Sequence, residues 1–208
     1  MFGIEHVPVV SADEMRRWDQ RAIQVAGIPE RTLIETAARA AASVVHQLHP
    51  TGRIAAAVGA GNNGADALVL LRVLRAWGRE VIAVLADGVQ AKPELLHGWD
   101  VEFVGTGEAE RIFRHSAVIV DGLLGTGGTG APRPPQAALI ETIGRAGRPV
   151  IALDGPSGVD LTSGAISGPA IRADLTVTFG APKRGLLLFP GRAHAGRIIA
   201  FEVGFPPL

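Results

Sequence analysis

Residues 54–77 read IAAAVGAGNNGADALVLLRVLRAW, which is an apolar run, a glycine-rich turn and a helix-forming run in succession. A short continuous apolar run such as Ile54–Val58 is typical of a strand that is buried on both faces. The glycines of residues 59–64 allow a tight turn, and helix formers follow from Ala65 to Trp77. The stretch therefore predicts a strand–turn–helix unit, which is the repeating element of a parallel α/β sheet.

The same alternation continues to the end of the chain. Short apolar runs predict strands, and the segments between several of them predict helices. The further strands are predicted at residues 81–85, 101–104, 117–120, 150–153, 175–179 and 197–203, with the last at an edge. The further helices are predicted at about residues 108–115 and 135–146. This pattern favours a mostly parallel sheet with helices on both faces.

Two helices are predicted before the first strand. Ser11 and Glu14 have the spacing of a capping box, which predicts a helix to about Ala26. A second, alanine-rich helix should span about residues 30–49. Because no linker, repeat or low-complexity segment interrupts the pattern, we expect residues 1–208 to form one domain.

Composition excludes several classes of protein. The chain has 20 basic and 20 acidic residues, and this balance argues against nucleic acid as a partner. It has no cysteine, which excludes disulfides, thiolate metal sites and a cysteine nucleophile. It shows neither a signal-peptide pattern nor an apolar run long enough to span a membrane, so we expect no membrane partner and a cytoplasmic location.

Three glycine-rich segments each follow a predicted strand. They are residues 59–66, residues 121–130 and residues 154–160. Because ligands of open parallel sheets bind outside the carboxyl ends of the strands, these segments should converge on one rim. Asp121 and Asp154 open the second and third segments, so both carboxylates are candidate site residues.

The first segment supports two interpretations. Free N–H groups at the start of its helix suit a phosphate, although a tight turn would also need these glycines. Gly59, Gly61 and Gly64 match the dinucleotide-binding pattern G-x-G-x-x-G, and Asp87 follows at the distance of a ribose-binding acid. A nicotinamide-dependent oxidoreductase is therefore one alternative. The pattern discriminates weakly, because Gly125, Gly127 and Gly130 match it as well.

Taken together, the three segments resemble the YjeF N-terminal family of NAD(P)H-hydrate epimerases. The family motifs read like N-N-G-G-D-G, D-A-L-L-G-T-G and D-I-P-S-G, and here they correspond to residues 62–67, 121–127 and 154–158. Residues 173–191 and the opening Glu14-Met15-Arg16 also resemble the family, so the likeness covers nearly the whole chain.

The resemblance implies a Rossmann-like, three-layer αβα sandwich that is often dimeric. The activity that the resemblance implies is interconversion of the R and S epimers of NADHX and NADPHX, whose nicotinamide ring is hydrated at C6. A separate dehydratase would be the pathway partner. The implied substrate-binding residues are Asn62, Asn63, Gly64, Ala65, Asp66, Gly125, Thr126, Gly127, Gly128, Thr129, Gly130, Ala131 and Asp154.

The resemblance also implies a potassium ion near Asn63, Asp121 and Ser157. Amide, carboxylate and hydroxyl oxygens are ligands that suit a hard cation. Inverting C6 requires proton transfer near the hydroxyl group and stabilisation of positive charge on the ring, for which a carboxylate is suited. We expect Asp154 to be the acid/base, with Lys183 as a partner that holds Asp154 ionised or binds phosphate.

The chain departs from the family motifs at positions that bear on activity. Ala65 and Ala67 replace two glycines, and alanine at position 65 would be strained if its φ angle were positive but harmless in a first helical turn. Gly155 follows Asp154 where the family has isoleucine. A third alternative is therefore a nucleotide- or protein-binding module with little or no activity.

Overall fold

The computed structural model describes residues 8–89 and 92–206. In this part of the chain a seven-stranded sheet has the order β3-β2-β1-β4-β5-β6-β7, and every neighbouring pair is parallel. The strands are β1 Ile54–Val58, β2 Val81–Leu85, β3 Glu102–Val104, β4 Val118–Gly122, β5 Val150–Leu153, β6 Leu175–Phe179 and β7 Arg197–Phe201. The predicted α/β class is confirmed.

Five α-helices lie within the described residues. They are α1 Ala12–Gln24, α2 Glu30–Leu48, α3 Asn62–Ala76, α4 Thr106–Arg114 and α5 Pro134–Arg145. Short 3-10 turns occur at Pro93–Leu96, Arg184–Leu186 and Gly191–Ala193. Residues 154–174, which join β5 to β6, contain neither an α-helix nor a named strand and form a long connection at the rim of the sheet.

Two hydrophobic cores define three layers. On one face of the sheet, α2 and α3 pack against alternate strand residues such as Ile54, Ala56 and Val58. On the other face, α4 and α5 pack against Ala55 and Ala57 and their neighbours. This alternation arises because successive side chains of a strand point to opposite faces.

The boundaries of two elements differ from the prediction in a way that matters for the site. Helix α3 begins at Asn62 rather than at Ala65, so the Asn-Asn-Gly sequence forms its first turn. Strand β4 continues to Gly122, so Asp121 is the penultimate residue of a strand and not the first residue of a loop. The side chains of Asn63 and Asp121 are consequently held by a helix and a strand.

Helix α1 is anchored at its first residues. The Ser11 hydroxyl accepts a hydrogen bond from the Glu14 backbone N–H at 3.2 Å, and a Glu14 carboxylate oxygen accepts one from the Ser11 backbone N–H at 2.7 Å. This is the predicted capping box, and it satisfies two N–H groups that the helix leaves free. Among the described helices, none is long and apolar enough to cross a membrane.

We predict that Ser11→Ala lowers the free energy of unfolding by about 1 kcal/mol, because it removes the N-cap acceptor of α1. Chemical denaturation followed by circular dichroism measures this. Thr36→Ala, at an exposed position inside α2, is the control and should be neutral or slightly stabilising, since alanine is the better helix former. Equal effects of the two substitutions would contradict the assigned role of the cap.

Candidate functional site

A cavity of about 670 Å³ lies at the carboxyl ends of the central strands. This volume is in the range of small-molecule sites. The three glycine-rich segments converge on it as predicted, and α1, the start of α2 and the segment after β6 complete its walls. Of the predicted substrate-binding residues, the cavity is lined by Asn62, Asn63, Asp66, the run from Gly125 to Ala131, and Asp154.

A buried ion pair lies in the wall of the cavity. Lys183 is 1% exposed, and its ammonium group pairs with Oδ1 of Asp154. The same ammonium donates to the Thr178 hydroxyl at 3.1 Å and to the Phe179 carbonyl at 2.7 Å. Three acceptors therefore replace the water that the charge loses, which is the condition under which a buried lysine is tolerated.

The backbone of Asp154 is unusual. Its φ angle is +64°, which makes it the only described residue other than glycine in the left-handed region. Such a conformation costs on the order of 1 kcal/mol or more and persists where surrounding contacts enforce it. The Asp154 N–H donates to the Val177 carbonyl at 2.7 Å, which ties this residue to β6. The carboxylate is thereby aimed into the cavity next to Lys183.

A second polar network joins all three segments around the peptide of Leu124. Asp121, which has no exposed surface, accepts hydrogen bonds from the Ser157 hydroxyl at 2.6 Å and from the Ser157 N–H at 2.8 Å. The Ser157 hydroxyl accepts a bond from the Leu124 N–H at 2.9 Å, and the Asn63 amide donates to the Leu124 carbonyl at 2.9 Å. The structure thus brings together the three residues predicted to bind potassium.

The network leaves one oxygen without a partner. Oδ1 of Asn63 is buried and accepts no hydrogen bond in the structure. Burial raises the pKa of Asp121 to about 6, although hydrogen bonds from Ser157 and Leu123 lower it. An unpartnered amide oxygen beside a buried carboxyl group and a hydroxyl group fits a hard monovalent cation. Among the described residues, no group of three or more His, Asp or Glu side chains is placed to hold a metal.

Gly64 and Ala65 do not line the cavity. Both belong to the first turn of α3 and are buried, and a Cβ atom at Gly64 would lie 1.8 Å from the carbonyl oxygen of Gly59. Gly64 is therefore required for close packing of the turn. Ala65 has a negative φ angle, and its N–H bonds the Gly61 carbonyl at 3.1 Å. Alanine is consequently unstrained at this position, as expected for a residue in a first helical turn.

The second departure, Ala67, has a structural counterpart in Gly122. A Cβ atom at Gly122 would lie 2.5 Å from the Cβ atom of Ala67. The family motifs that the chain resembles have glycine at position 67 and alanine at position 122, whereas this chain has Ala67 and Gly122. One methyl group therefore fills the contact between α3 and β4 in either arrangement. Alanine at position 67 and glycine at position 122 together keep the side-chain volume at this contact unchanged, although each change looks disruptive by itself.

The sequence interpretation missed Asp19 and Glu30, both of which line the cavity. Burial, followed by the charge of Asp154, raises the pKa of Asp19 to about 6. The pKa of Asp66 is raised well above its ordinary value by burial and by the charges of Asp154 and Asp19. A signal for Asp19 was present, since it lies four residues from both Met15 and Ile23 and so interrupts the apolar face of α1.

Asp87, which the oxidoreductase alternative places on a ribose, is not a cavity residue. Its carboxylate accepts a hydrogen bond from the Thr106 hydroxyl at 2.6 Å, so it stabilises the start of α4. The first and third glycines of the G-x-G-x-x-G match, Gly59 and Gly64, pack against backbone atoms. The glycine pattern and Asp87, which favoured the oxidoreductase alternative, therefore have structural roles in this protein.

Comparison with known proteins identifies relatives across the chain. The family model described as "YjeF-related protein N-terminus" matches residues 30–185. The NAD(P)H-hydrate epimerase of Clavibacter michiganensis is 38% identical in an alignment 213 positions long, which covers 95% of this chain and 93% of the relative. The enzyme of the same name from Limosilactobacillus fermentum is 34% identical over 198 residues, which cover 93% and 95%.

A longer relative and a solved structure also match the chain. The bifunctional NAD(P)H-hydrate repair enzyme Nnr of Thermanaerovibrio acidaminovorans is 35% identical over 97% of this chain, and the match spans 42% of that relative. The crystal structure of the yeast protein ynu0 superposes with a TM-score of 0.82 at 22% identity, over 97% of this chain and 90% of the yeast chain. The three-layer fold is therefore shared with that structure.

We predict that Gly122→Ala destabilises the protein by about 1–3 kcal/mol, because its methyl group would overlap that of Ala67. Ala67→Gly alone should cost about 1 kcal/mol as a glycine inside a helix. The double variant should lose about 1 kcal/mol less of the free energy of unfolding than the two single variants lose in sum, and this difference is the coupling energy. Denaturant unfolding of the four proteins measures this coupling.

Gly144→Ala serves as the control for this cycle. Gly144 lies within α5, and the position that a methyl group would take there faces open space, so alanine should stabilise by roughly 0.5–1 kcal/mol. Additive effects of Gly122→Ala and Ala67→Gly would contradict the proposed exchange of one methyl group between α3 and β4.

Proposed function

Because the chain belongs to the YjeF-related N-terminal family, we propose that it is an NAD(P)H-hydrate epimerase, an isomerase that interconverts the R and S epimers of NADHX and NADPHX. Relatives of that name align with more than nine-tenths of both sequences, which supports assigning the activity to this domain alone. The observation that carries the proposal within the structure is the Asp154–Lys183 pair in the wall of the cavity.

The reaction makes two demands on the protein. The C6–O bond breaks when the hydroxyl group receives a proton and leaves as water, which produces an iminium cation along the C6–N1 bond. Water then adds to the other face of C6 and gives up a proton. The protein must therefore move protons at one carbon atom and stabilise a transient positive charge.

The charges around the Asp154–Lys183 pair suit that cation. Asp19, Asp66 and Asp154 line this part of the cavity, and Lys183 is the ammonium group among them. Pre-oriented charges opposite in sign to the charge that develops in a reaction are an effective source of rate enhancement. We propose that the hydrated ring lies against these carboxyl groups and that Asp154 removes the proton from the incoming water.

Lys183 acts through Asp154 in this proposal. Its ammonium group has all its neighbours within the protein, namely Asp154, Thr178 and Phe179. It is therefore a positioning residue for the carboxylate, and the alternative of phosphate binding receives no support from its surroundings. Residues 125–131, which form a glycine-rich wall with many backbone N–H groups, suit the phosphates of the cofactor better.

We propose that a potassium ion binds at Asn63, Asp121 and Ser157. The support is the unpartnered Oδ1 of Asn63 and the convergence of the three side chains on the Leu124 peptide. When bound, the ion would balance the charge of Asp121 and hold the three segments in register. We also propose that the protein forms a homodimer and that a separate dehydratase consumes its S product.

We predict that Asp154→Asn reduces kcat for epimerisation by about 10²–10⁴-fold, because the amide cannot accept a proton. Asparagine tolerates the left-handed backbone as aspartate does, so the loop geometry is retained. The measurement is chromatographic separation of the R and S epimers over time, corrected for the spontaneous reaction. Wild-type protein no faster than the spontaneous reaction would overturn the proposed function.

A second variant separates lost chemistry from lost folding. Asp154→Asn leaves the buried Lys183 ammonium without its carboxylate, which can cost several kcal/mol. Combining it with Lys183→Met removes that unpaired charge, so the double variant should be folded by circular dichroism and still inactive. Activity in the double variant would show that Asp154 does not transfer the proton.

For the cation, we predict a higher melting temperature in KCl than in NaCl at equal ionic strength. A ligand at 100 times its Kd stabilises by about 2.7 kcal/mol, and each kcal/mol raises Tm by about 2–4 °C at this chain length. Asn63→Ala should abolish the difference, whereas Asn62→Ala, its exposed neighbour, should keep it. Identical melting of the wild type in the two salts would contradict the potassium site.

A further inference from the structure

Asp19 occupies a position in α1 where an apolar residue is expected. Met15, Asp19 and Ile23 are spaced by four residues, lie on one face of the helix and line the cavity. Asp19 is half-buried, and its carboxyl group makes no hydrogen bond or ion pair with any residue among 8–89 and 92–206. A carboxyl group that interrupts an apolar helix face and opens into a cavity without a protein partner is available to a ligand there.

The position of Asp19 relative to the ion pair is fixed by the backbone. Val10, immediately before α1, forms a parallel bridge with Lys183: its N–H donates to the Pro182 carbonyl at 3.0 Å, and its carbonyl accepts from the Arg184 N–H at 2.7 Å. The Ala12 N–H also donates to the Thr162 hydroxyl at 3.0 Å. Helix α1 is thereby joined directly to the segment that carries Lys183, which gives Asp19 the rigid support that a reacting group needs.

Charged groups from several elements face Asp19. Asp154 at the end of β5 and Glu30 at the start of α2 raise its pKa, and Lys183 after β6 lowers it, while burial makes the largest contribution. The charge of Asp19 also helps to raise the pKa of Asp66 in α3, after burial and the charge of Asp154. Arg16, on α1 itself, is paired with Asp13. Asp19 and Asp66 therefore retain protons to a higher pH than isolated aspartates do.

The reaction requires such a proton. The hydroxyl group leaves one face of the ring and water returns to the other, so a proton must be supplied at one place and removed at another. Asp154 pairs with the Lys183 ammonium group and is assigned the accepting role, so the proton supplied to the leaving hydroxyl group must come from another group. A second carboxyl group on another wall of the cavity can supply this proton, and Asp19 of α1 is such a group.

We infer that Asp19 is a second catalytic residue, which donates the proton that carries the C6 hydroxyl group away as water, while Asp154 accepts the proton of the incoming water. This inference rests on the proposed epimerase activity. In the first step the C6–O bonding electrons go to oxygen, which takes the proton of Asp19. In the second step water forms the new C6–O bond and its proton goes to Asp154. Proton exchange with solvent, or turnover in the reverse direction, restores both carboxyl groups.

The test is the pH dependence of kcat in the full-length wild type and in Asp19→Asn. An acid must be protonated to act, so the wild-type rate should fall as the pH rises above about 6. Asp19→Asn should lower kcat by about 10²–10³-fold, change KM little and lose this alkaline fall. Asp19→Glu, which keeps the carboxyl group, should recover part of kcat and the alkaline fall.

Asp13→Asn is the matched control. Asp13 lies on the same helix, is exposed and pairs with Arg16 at the surface, where such pairs contribute little. This variant should keep both kcat and the pH profile of the wild type. Circular dichroism should show that all variants are folded, since the Asp19 carboxyl group has no partner in the described residues and the Asp13 pair lies at the surface.

The outcomes separate this inference from the activity on which it rests. If the wild type itself is inactive, the proposed function fails and the role of Asp19 fails with it. If the wild type is active and Asp19→Asn has the same kcat and pH profile, only the inference is overturned. A rise in KM at unchanged kcat would assign Asp19 to binding, and a fall in kcat that keeps the alkaline limb would assign it to positioning; either result overturns the catalytic role.

Discussion

The buried ammonium group of Lys183 is the charge around which this end of the molecule is organised. A lysine that is 1% exposed must find its partners inside the protein, and here they come from the ends of two neighbouring strands: Asp154 after β5, and Thr178 and Phe179 in β6. The Lys183 backbone also pairs with Val10 before α1. Lys183 therefore links β5 and β6 through its ammonium group and the start of α1 through its backbone, and its pairing with Asp154 offsets part of the cost of the left-handed conformation of that residue.

The same constraint accounts for the electrostatics of the cavity. Lys183 balances one carboxylate, but Asp19 and Asp66 line the same cavity as Asp154, and burial together with the charge of Asp154 favours their protonated forms. A site with this surplus of carboxyl groups can both supply a proton and stabilise a cation, which are the two demands of inversion at C6 of a hydrated nicotinamide ring. The structural network of Asp121, Ser157 and the Leu124 peptide is separate and serves to align the segments that carry these groups.

Much of the site was accessible from the sequence, because the three motifs follow strands and strand ends meet at one rim. Asp121 and Asp154 were named on that basis, Asn63 and Ser157 were implied by the family resemblance, and the structure brings all four to that rim. Asp19 was missed because α1 is distant in sequence from the three glycine-rich segments, and the contact of the residues before α1 with the Lys183 segment brings it to the cavity. The substitution at Ala67 looked like a departure that bears on activity for a similar reason: its compensation, Gly122, lies on another strand.

The sequence by itself determined the α/β class, the order of helices and strands, the family and the capping box of α1. These follow from local features: the periodicity of apolar residues, glycine at turns, and side chains that bond to backbone within three residues. The tertiary structure alone decided that Ala65 is unstrained, that Ala67 and Gly122 exchange one methyl group, and that Asp19 faces the Asp154–Lys183 pair. These depend on the dihedral angle of one residue and on distances between elements far apart in the chain, which hydrophobic pattern and spacing do not encode.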